Sequence, residues 1–219
     1  MRGRIAASSL ILCIVATSDA LAGVVTGVVR TLVRPGVTPA VTVVYAQPLD
    51  SSTPRTPRRV ALVQKNKTFQ PRVVTVPLGS TVEFPNNDLI FHNVFSLSGA
   101  QPFDLGLYRA GESRSRTFTS PGVYQVFCNI HPQMSAVIVV APSPFTTVAS
   151  PDGRFTLEIP DGRYRLTALS ERASPVSVEV TSGQGASIAP DLTLDESTWV
   201  FSPHKNKFGQ DYAATAYRD

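Results

Sequence analysis

The sequence predicts an all-β protein made of two β-sandwiches. Three observations carry that reading. Short runs rich in Val and Thr recur along the chain, several of them alternating apolar and polar residues, with turn signals between them. Pro (18) and Gly (14) are frequent among the 219 residues. No stretch sustains the 3.6-residue apolar period of an amphipathic helix. Hydrophobic residues make up 42% and charged residues 16% of the chain. That balance supports a packed core and excludes wholesale disorder.

Residues 1–22 read as a signal peptide. Met1-Arg2-Gly3-Arg4 is a positive start, residues 5–17 are an apolar run too short to cross a bilayer comfortably, and Ala20-Leu21-Ala22 fits the small-x-small cleavage pattern. The mature chain is then expected to begin at Gly23, in the periplasm; a retained N-terminal anchor is the alternative. Leu12 before Cys13 is too large for a lipoprotein cleavage site, and no other segment could span a membrane.

Strands are expected at 24–32 and 40–45, with Pro35-Gly36 turning between them, so that residues 23–49 supply the first strands of one sandwich. Residues 50–59 read as a linker of Ser, Thr, Pro and Arg. A domain over 60–141 follows, with strands at 60–64, 73–76, 81–84, 92–97, 115–119, 123–127 and 136–140, in the manner of a Greek-key sandwich. The stretch from Ser96 to Gly111 reads as a long loop. After Pro142 the pattern changes. Pro151-Asp152-Gly153-Arg154-Phe155 is echoed by Pro160-Asp161-Gly162-Arg163-Tyr164, and Asp-Gly is a tight-turn signal because Gly tolerates positive φ. Strands at 155–159, 164–169, 176–180 and 188–194 place the rest of the other sandwich in residues 145–194. The tail, 195–219, is an edge strand or a loose end.

The formal net charge is +4 at pH 7. Much of the excess lies in Arg55, Arg58, Arg59, Lys65, Lys67 and Arg72. These are interleaved with Pro, Ser and Thr rather than aromatics, which describes a solvated basic surface and not a nucleic-acid face. Once residues 1–22 are removed, Cys128 is the one cysteine left, so no internal disulfide can form. A free thiol in an oxidising compartment calls for a reason. Cys128 is either a small buried hydrophobe or a ligand.

Its surroundings favour the ligand. Cys128-Asn129-Ile130-His131-Pro132-Gln133-Met134 spaces Cys, His and Met at i, i+3 and i+6 between two strand patterns. A compact loop at one end of a sandwich can turn all three side chains to one centre. His92, at a loop-to-strand junction upstream, can supply a fourth. Two His, one Cys and a weak axial Met make the ligand set of blue-copper electron-transfer sites. Thiolate is soft, thioether favours Cu(I), and imidazole accommodates both oxidation states, so little rearrangement accompanies electron transfer. Zinc is the competing metal, but a Met ligand argues against it. Strand alternation puts Cys128 on one face with Tyr124 and Val126. His204, in the polar tail, reads as a surface residue without a partner.

The segment 60–141 resembles the cupredoxins, and its Cys-x-x-His-x-x-Met loop resembles the amicyanin branch. Phe69-Gln70-Pro71, Leu78-Gly79-Ser80-Thr81-Val82-Glu83-Phe84, Asn87-Asp88, His92-Asn93 and Pro121-Gly122-Val123-Tyr124 carry the rest of the likeness. The resemblance implies copper ligation by His92, Cys128, His131 and Met134. It makes Asn93 the residue behind the ligands that ties the two ligand loops together and hydrogen-bonds near the sulfur. It makes His131 the exposed ligand through which electrons pass, and Pro132, with Phe103 or Leu107, the apolar rim where a redox partner docks. Residues 23–45 and 145–194, with Asp152-Gly153-Arg154-Phe155, resemble a carboxypeptidase-regulatory-like, transthyretin-like sandwich. The combination is similar to bacterial exported proteins of the plastocyanin-like and methylamine-utilisation-like kind.

The function expected is therefore a periplasmic type 1 copper protein carrying one electron between redox partners, and not an enzyme. The chain has three His, too few for a second catalytic copper site. Copper delivery or storage is one alternative, though such proteins carry Met-rich or His-rich tracts. An exported binding module with a vestigial copper site is the other.

Overall fold

The computed structural model describes residues 22–183, 185–213 and 216; the expected signal peptide lies outside the described residues, Ala22 apart. Among them the regular structure is entirely β, with eighteen strands and no helix.

One body is built from residues 59–141. Its larger sheet orders Val73–Pro77, Ser135–Ala141, Gly122–Phe127, His92–Ser96 and Phe103–Tyr108. Its smaller sheet orders Ser113–Thr117, Thr81–Pro85 and Arg59–Ala61. Val73–Pro77 runs parallel to Ser135–Ala141, and Arg59–Ala61 parallel to Thr81–Pro85. Parallel neighbours require crossings between the sheets, as Greek-key connections provide. Phe84, Phe118, Tyr124, Val126 and Ile138 fill the space between the sheets.

The second body takes strands from both sides of the first. Ala22–Leu32 pairs antiparallel with Arg154–Pro160 and parallel with Ala186–Ile188 and Leu192–Asp195. The facing sheet orders Thr146–Val148, Val43–Pro48, Gly162–Ser170 and Ala173–Ser182. Arg154–Pro160 buries Phe155, Leu157 and Ile159 and exposes the residues between them, the period-2 pattern of a sheet with one wet face. Gly153 makes the preceding turn at φ 83°, and a Cβ there would meet the Val29 carbonyl oxygen at 2.1 Å. Only Gly fits that position.

Ser135–Ala141 is buried on both faces because it is the middle layer of the molecule. Ala136, Ile138 and Val140 face the first core. Val137 and Val139 pack against Val43 and Leu169 of the second body. Thr75 and Thr146 share a hydroxyl hydrogen bond of 2.8 Å across the same junction. Arg72 grips Glu171 with two bonds of 2.6 and 3.0 Å.

The expected loop from Ser96 to Gly111 contains a strand. Phe103–Tyr108 pairs with His92–Ser96, with a register shift between Asn93 and Phe95. The shift places one extra residue opposite Val94, so Phe103 and Tyr108 are both buried despite their odd spacing. A bulge of this kind hides the strand from any period-2 reading. The short hairpin of Val63–Lys65 and Thr68–Gln70 was equally hidden. Its turn is Asn66-Lys67, both at positive φ, without the Gly that marks such turns.

Val139→Asp would bury a carboxylate with no partner between the two bodies. It is expected to lower unfolding stability by roughly 3 kcal/mol or more, read as a shift in urea midpoint.

Candidate metal centre

Two segments remote in sequence meet at one end of the first sandwich. His92 opens the strand His92–Ser96, and Cys128 is the first residue after the strand Gly122–Phe127. The strands are neighbours in one sheet, joined at Phe95 and Phe127. Alternation carries Tyr124, Val126 and Cys128 inward together, leaving the thiol at the edge of the core with no exposed surface.

Three ligand atoms converge there. His92 Nδ1 and His131 Nδ1 are 3.1 Å apart and lie 3.8 and 3.7 Å from Cys128 Sγ. Two donors about 2.0–2.3 Å from one first-row ion at open bond angles lie about 3.3–3.9 Å apart. The Sγ–Nδ1 separations fall in that range and the Nδ1–Nδ1 separation just under it, so one ion fits among the three with little movement. Met134, also buried, joins the same core as Cys128. Its backbone closes the loop: Met134 N donates to the His131 carbonyl at 2.9 Å, and Cys128 N to the Met134 carbonyl at 3.3 Å.

The His92 ring is oriented from behind. Its Nε2 lies 2.7 Å from Asp88 Oδ2. An N–H donated to Asp88 leaves Nδ1 as the bare nitrogen facing the centre. Asp88 is itself held by the Asn66 and Lys67 amides at 2.5 and 2.9 Å. It thus stabilises the left-handed hairpin turn and the histidine at once. Burial pushes the Asp88 carboxyl up, but the Lys67 amide, the His92 ring and the Asn66 amide outweigh it, and the net direction is down. Asn86, fully buried, donates to the Ile90 carbonyl at 2.8 Å and accepts from Asp88 N at 3.1 Å, shaping the loop that presents His92. Asp88 entered the sequence reading only as part of a likeness. Its place four residues before His92 was the signal for its role.

The thiol is held as carefully. Burial pushes it up, while the amides of Asn93, Ile130 and His131 favour the thiolate. Asn93 N is 3.4 Å from Sγ. The Asn93 side chain accepts from Asn129 N at 3.3 Å and donates to Asp104 Oδ1 at 2.7 Å and to the Gly106 carbonyl at 2.9 Å. Burial, aided by the charge of Lys67, pushes His131 down, which favours the neutral ring that a ligand must be.

Three expectations change. Phe103 belongs to the core and not to a rim; the bulged strand turns it inward. Pro132 is buried, because the tail lies over it. His204 is that covering residue and not a free surface histidine. Its ring stacks on Phe127 with centroids 3.7 Å apart, and its Nε2 lies 2.8 Å from the Pro132 carbonyl oxygen. Leu107 is exposed, as are Leu89, Ile90, Phe91 and Ile130 beside the two histidines.

Comparison with known proteins points to the same segment. Residues 60–141 match the model of the copper binding proteins, plastocyanin/azurin family. Amicyanin-alpha of Methylorubrum extorquens is 32% identical over 75 residues, 33% of this chain and 63% of that protein, so the chain spans less than two thirds of that relative's length. Among solved structures, a purple cupredoxin from Nitrosopumilus maritimus is 22% identical over 37% of this chain and 99% of its own, at a TM-score of 0.35. A copper-containing nitrite reductase from Thermus scotoductus SA-01 is 31% identical over 43% of this chain and 25% of its own, at 0.37.

Asp88→Ala should free the His92 ring and weaken copper binding about 10–100-fold, measured by competition with a calibrated chelator.

Proposed function

We propose that residues 60–141, which match the model of the plastocyanin/azurin family of copper-binding proteins, make the protein a one-electron carrier with a single type 1 copper held by His92, Cys128, His131 and Met134. Copper bound there supplies a one-electron couple between Cu(I) and Cu(II). The observation that carries the reading is the convergence of His92 Nδ1, His131 Nδ1 and a fully buried Cys128 Sγ on one point. The chain's part is to hold those atoms still. Asp88 fixes one imidazole, three amides face the sulfur, and the core packs Cys128 and Met134. Ligand positions that serve both oxidation states keep rearrangement small.

Burial also weighs against copper delivery, which needs ligands that another protein can reach; Cys128 and Met134 are 0% and 1% exposed. We read the protein as a carrier and not an enzyme. Of its three histidines two belong to the centre, and the third is stacked on Phe127. Electrons would enter and leave through the half-buried His131, with Leu89, Ile90, Phe91, Leu107 and Ile130 offering an apolar surface to a redox partner. The positive start, apolar run and Ala20-Leu21-Ala22 of residues 1–22, read as a leader, support a periplasmic location. The second sandwich, with its Asp-Gly turns, is read as a carboxypeptidase-regulatory-like module into which the copper domain is inserted. No helix among the described residues is long and apolar enough to cross a membrane.

One equivalent of Cu(II) added to the protein should give an intense blue band and a narrow copper hyperfine splitting, both removed by a mild reductant. A weakly coloured product with ordinary copper EPR would refute the carrier reading. Cys128→Ser should abolish the blue band, since the thiolate is its source. Met134→Gln should retain copper and lower the reduction potential, because a harder axial donor favours Cu(II); cyclic voltammetry reads the shift.

A further inference from the structure

The tail beyond the last strand is a strap from the second sandwich to the metal centre. It starts at Glu196, which is buried and accepts from Ser170 Oγ at 2.6 Å and Ala40 N at 3.0 Å. Trp199 follows, under the Arg172 guanidinium at 4.3 Å. The chain then crosses the first sandwich, where His204 stacks on Phe127 and reaches the Pro132 carbonyl. It then makes a turn in which Asn206 Oδ1 accepts from Phe208 N at 2.9 Å and Gln210 N at 3.1 Å. That turn presents Lys207.

Lys207 closes a ring of four residues. Its Nζ meets Asp104 Oδ2 at 2.8 Å, and its backbone N donates to Asn129 Oδ1 at 2.9 Å. Asp104 Oδ1 accepts from Asn93, and Asn93 Oδ1 accepts from Asn129 N. Each member comes from a different part of the fold: the tail, the bulged strand, the strand of His92 and the loop of Cys128. Asn93 and Asn129 each adjoin a ligand in sequence, and Asn93 N also faces the sulfur. With His204 on Pro132, the tail grips the Cys128–Met134 loop at two places, on either side of His131.

We propose that Lys207 is a positioning residue of the copper centre, which sets the Cys128–His131 loop and the amide facing the thiolate through Asp104, Asn93 and Asn129. The proposal rests on the carrier reading for its effect on copper and on the four-residue ring for its geometry. Lys207 belongs to neither hydrophobic core, so its loss leaves both cores intact. An ion pair so placed adds little to global stability. Its effect is local, because every bond in the ring ends on a residue that frames the ligands. Loss of the ammonium also leaves the Asp104 carboxylate, which accepts from Asn93, without its counter-charge, and the added negative field favours the oxidised site.

The test is Lys207→Met beside Lys207→Arg, each as the full protein. In the metal-free state, Lys207→Met is expected to speed amide exchange at Asn129 about tenfold or more, with the amides of Val137–Val140 unchanged. In the copper state it should lower the reduction potential and shift the blue band, and Lys207→Arg should restore both. A merely structural residue would move the melting temperature and leave potential and spectrum alone. Asn129 exchange unchanged from the parent overturns the proposal, whatever the colour of the copper form. If the parent takes copper without a blue band, the carrier reading falls, and the metal-free exchange still decides whether Lys207 holds the loop.

Discussion

Asn93 joins two segments that the chain keeps far apart. His92 and Cys128 are separated by thirty-five intervening residues, and each stands at the end of its strand, where pairing gives way to loop. Sheet pairing alone brings them near each other, through the contact of Phe95 with Phe127. It does not fix the loops that carry Asn129, Ile130 and His131. Asn93 does so with one side chain: its carbonyl oxygen takes the Asn129 amide, its amide group anchors on Asp104 and Gly106, and its own backbone N–H points at the sulfur. A buried polar side chain with this many partners is costly to misplace, so the cluster has one favoured arrangement before any ion arrives.

The remaining supports follow from the same requirement. His92 needs a fixed tautomer, and Asp88 imposes it. Asp88 in turn must be held, and the amides of a hairpin turn with two non-Gly residues at positive φ hold it. The strain of that turn and the need of the carboxylate satisfy each other. The same economy appears in the middle layer, where one strand, Ser135–Ala141, serves the core beside the metal centre with one face and the junction to the second sandwich with the other. The centre is thereby tied to a second body whose own core never touches it.

Much of this was legible from the chain. Val126 and Tyr124 share the parity of Cys128, so the inward thiol could be read from alternation. The spacing of Cys128, His131 and Met134 placed three donors on one short loop. Other parts were not legible. Phe103–Tyr108 carries a bulge at Leu105-Gly106, which shifts the period and presents a strand as a loop. The Asn66-Lys67 turn lacks Gly, so its hairpin has no local signal. His204 sits among polar residues, and nothing near it in sequence shows that its ring covers Phe127 or that Pro132 lies beneath the tail.

The sequence by itself determined the β class, the inward parity of Cys128 and the presence of Cys, His and Met on one short loop, because these depend on residue type and on spacings of a few positions. Tertiary structure alone decided which atoms of those donors face one another, that Asp88 and Asn93 hold them, and that Lys207 reaches Asp104 across the molecule. Those contacts join residues up to about a hundred positions apart. Their geometry is set by sheet register, by a bulge and by the path of the tail, none of which a local pattern of residues encodes.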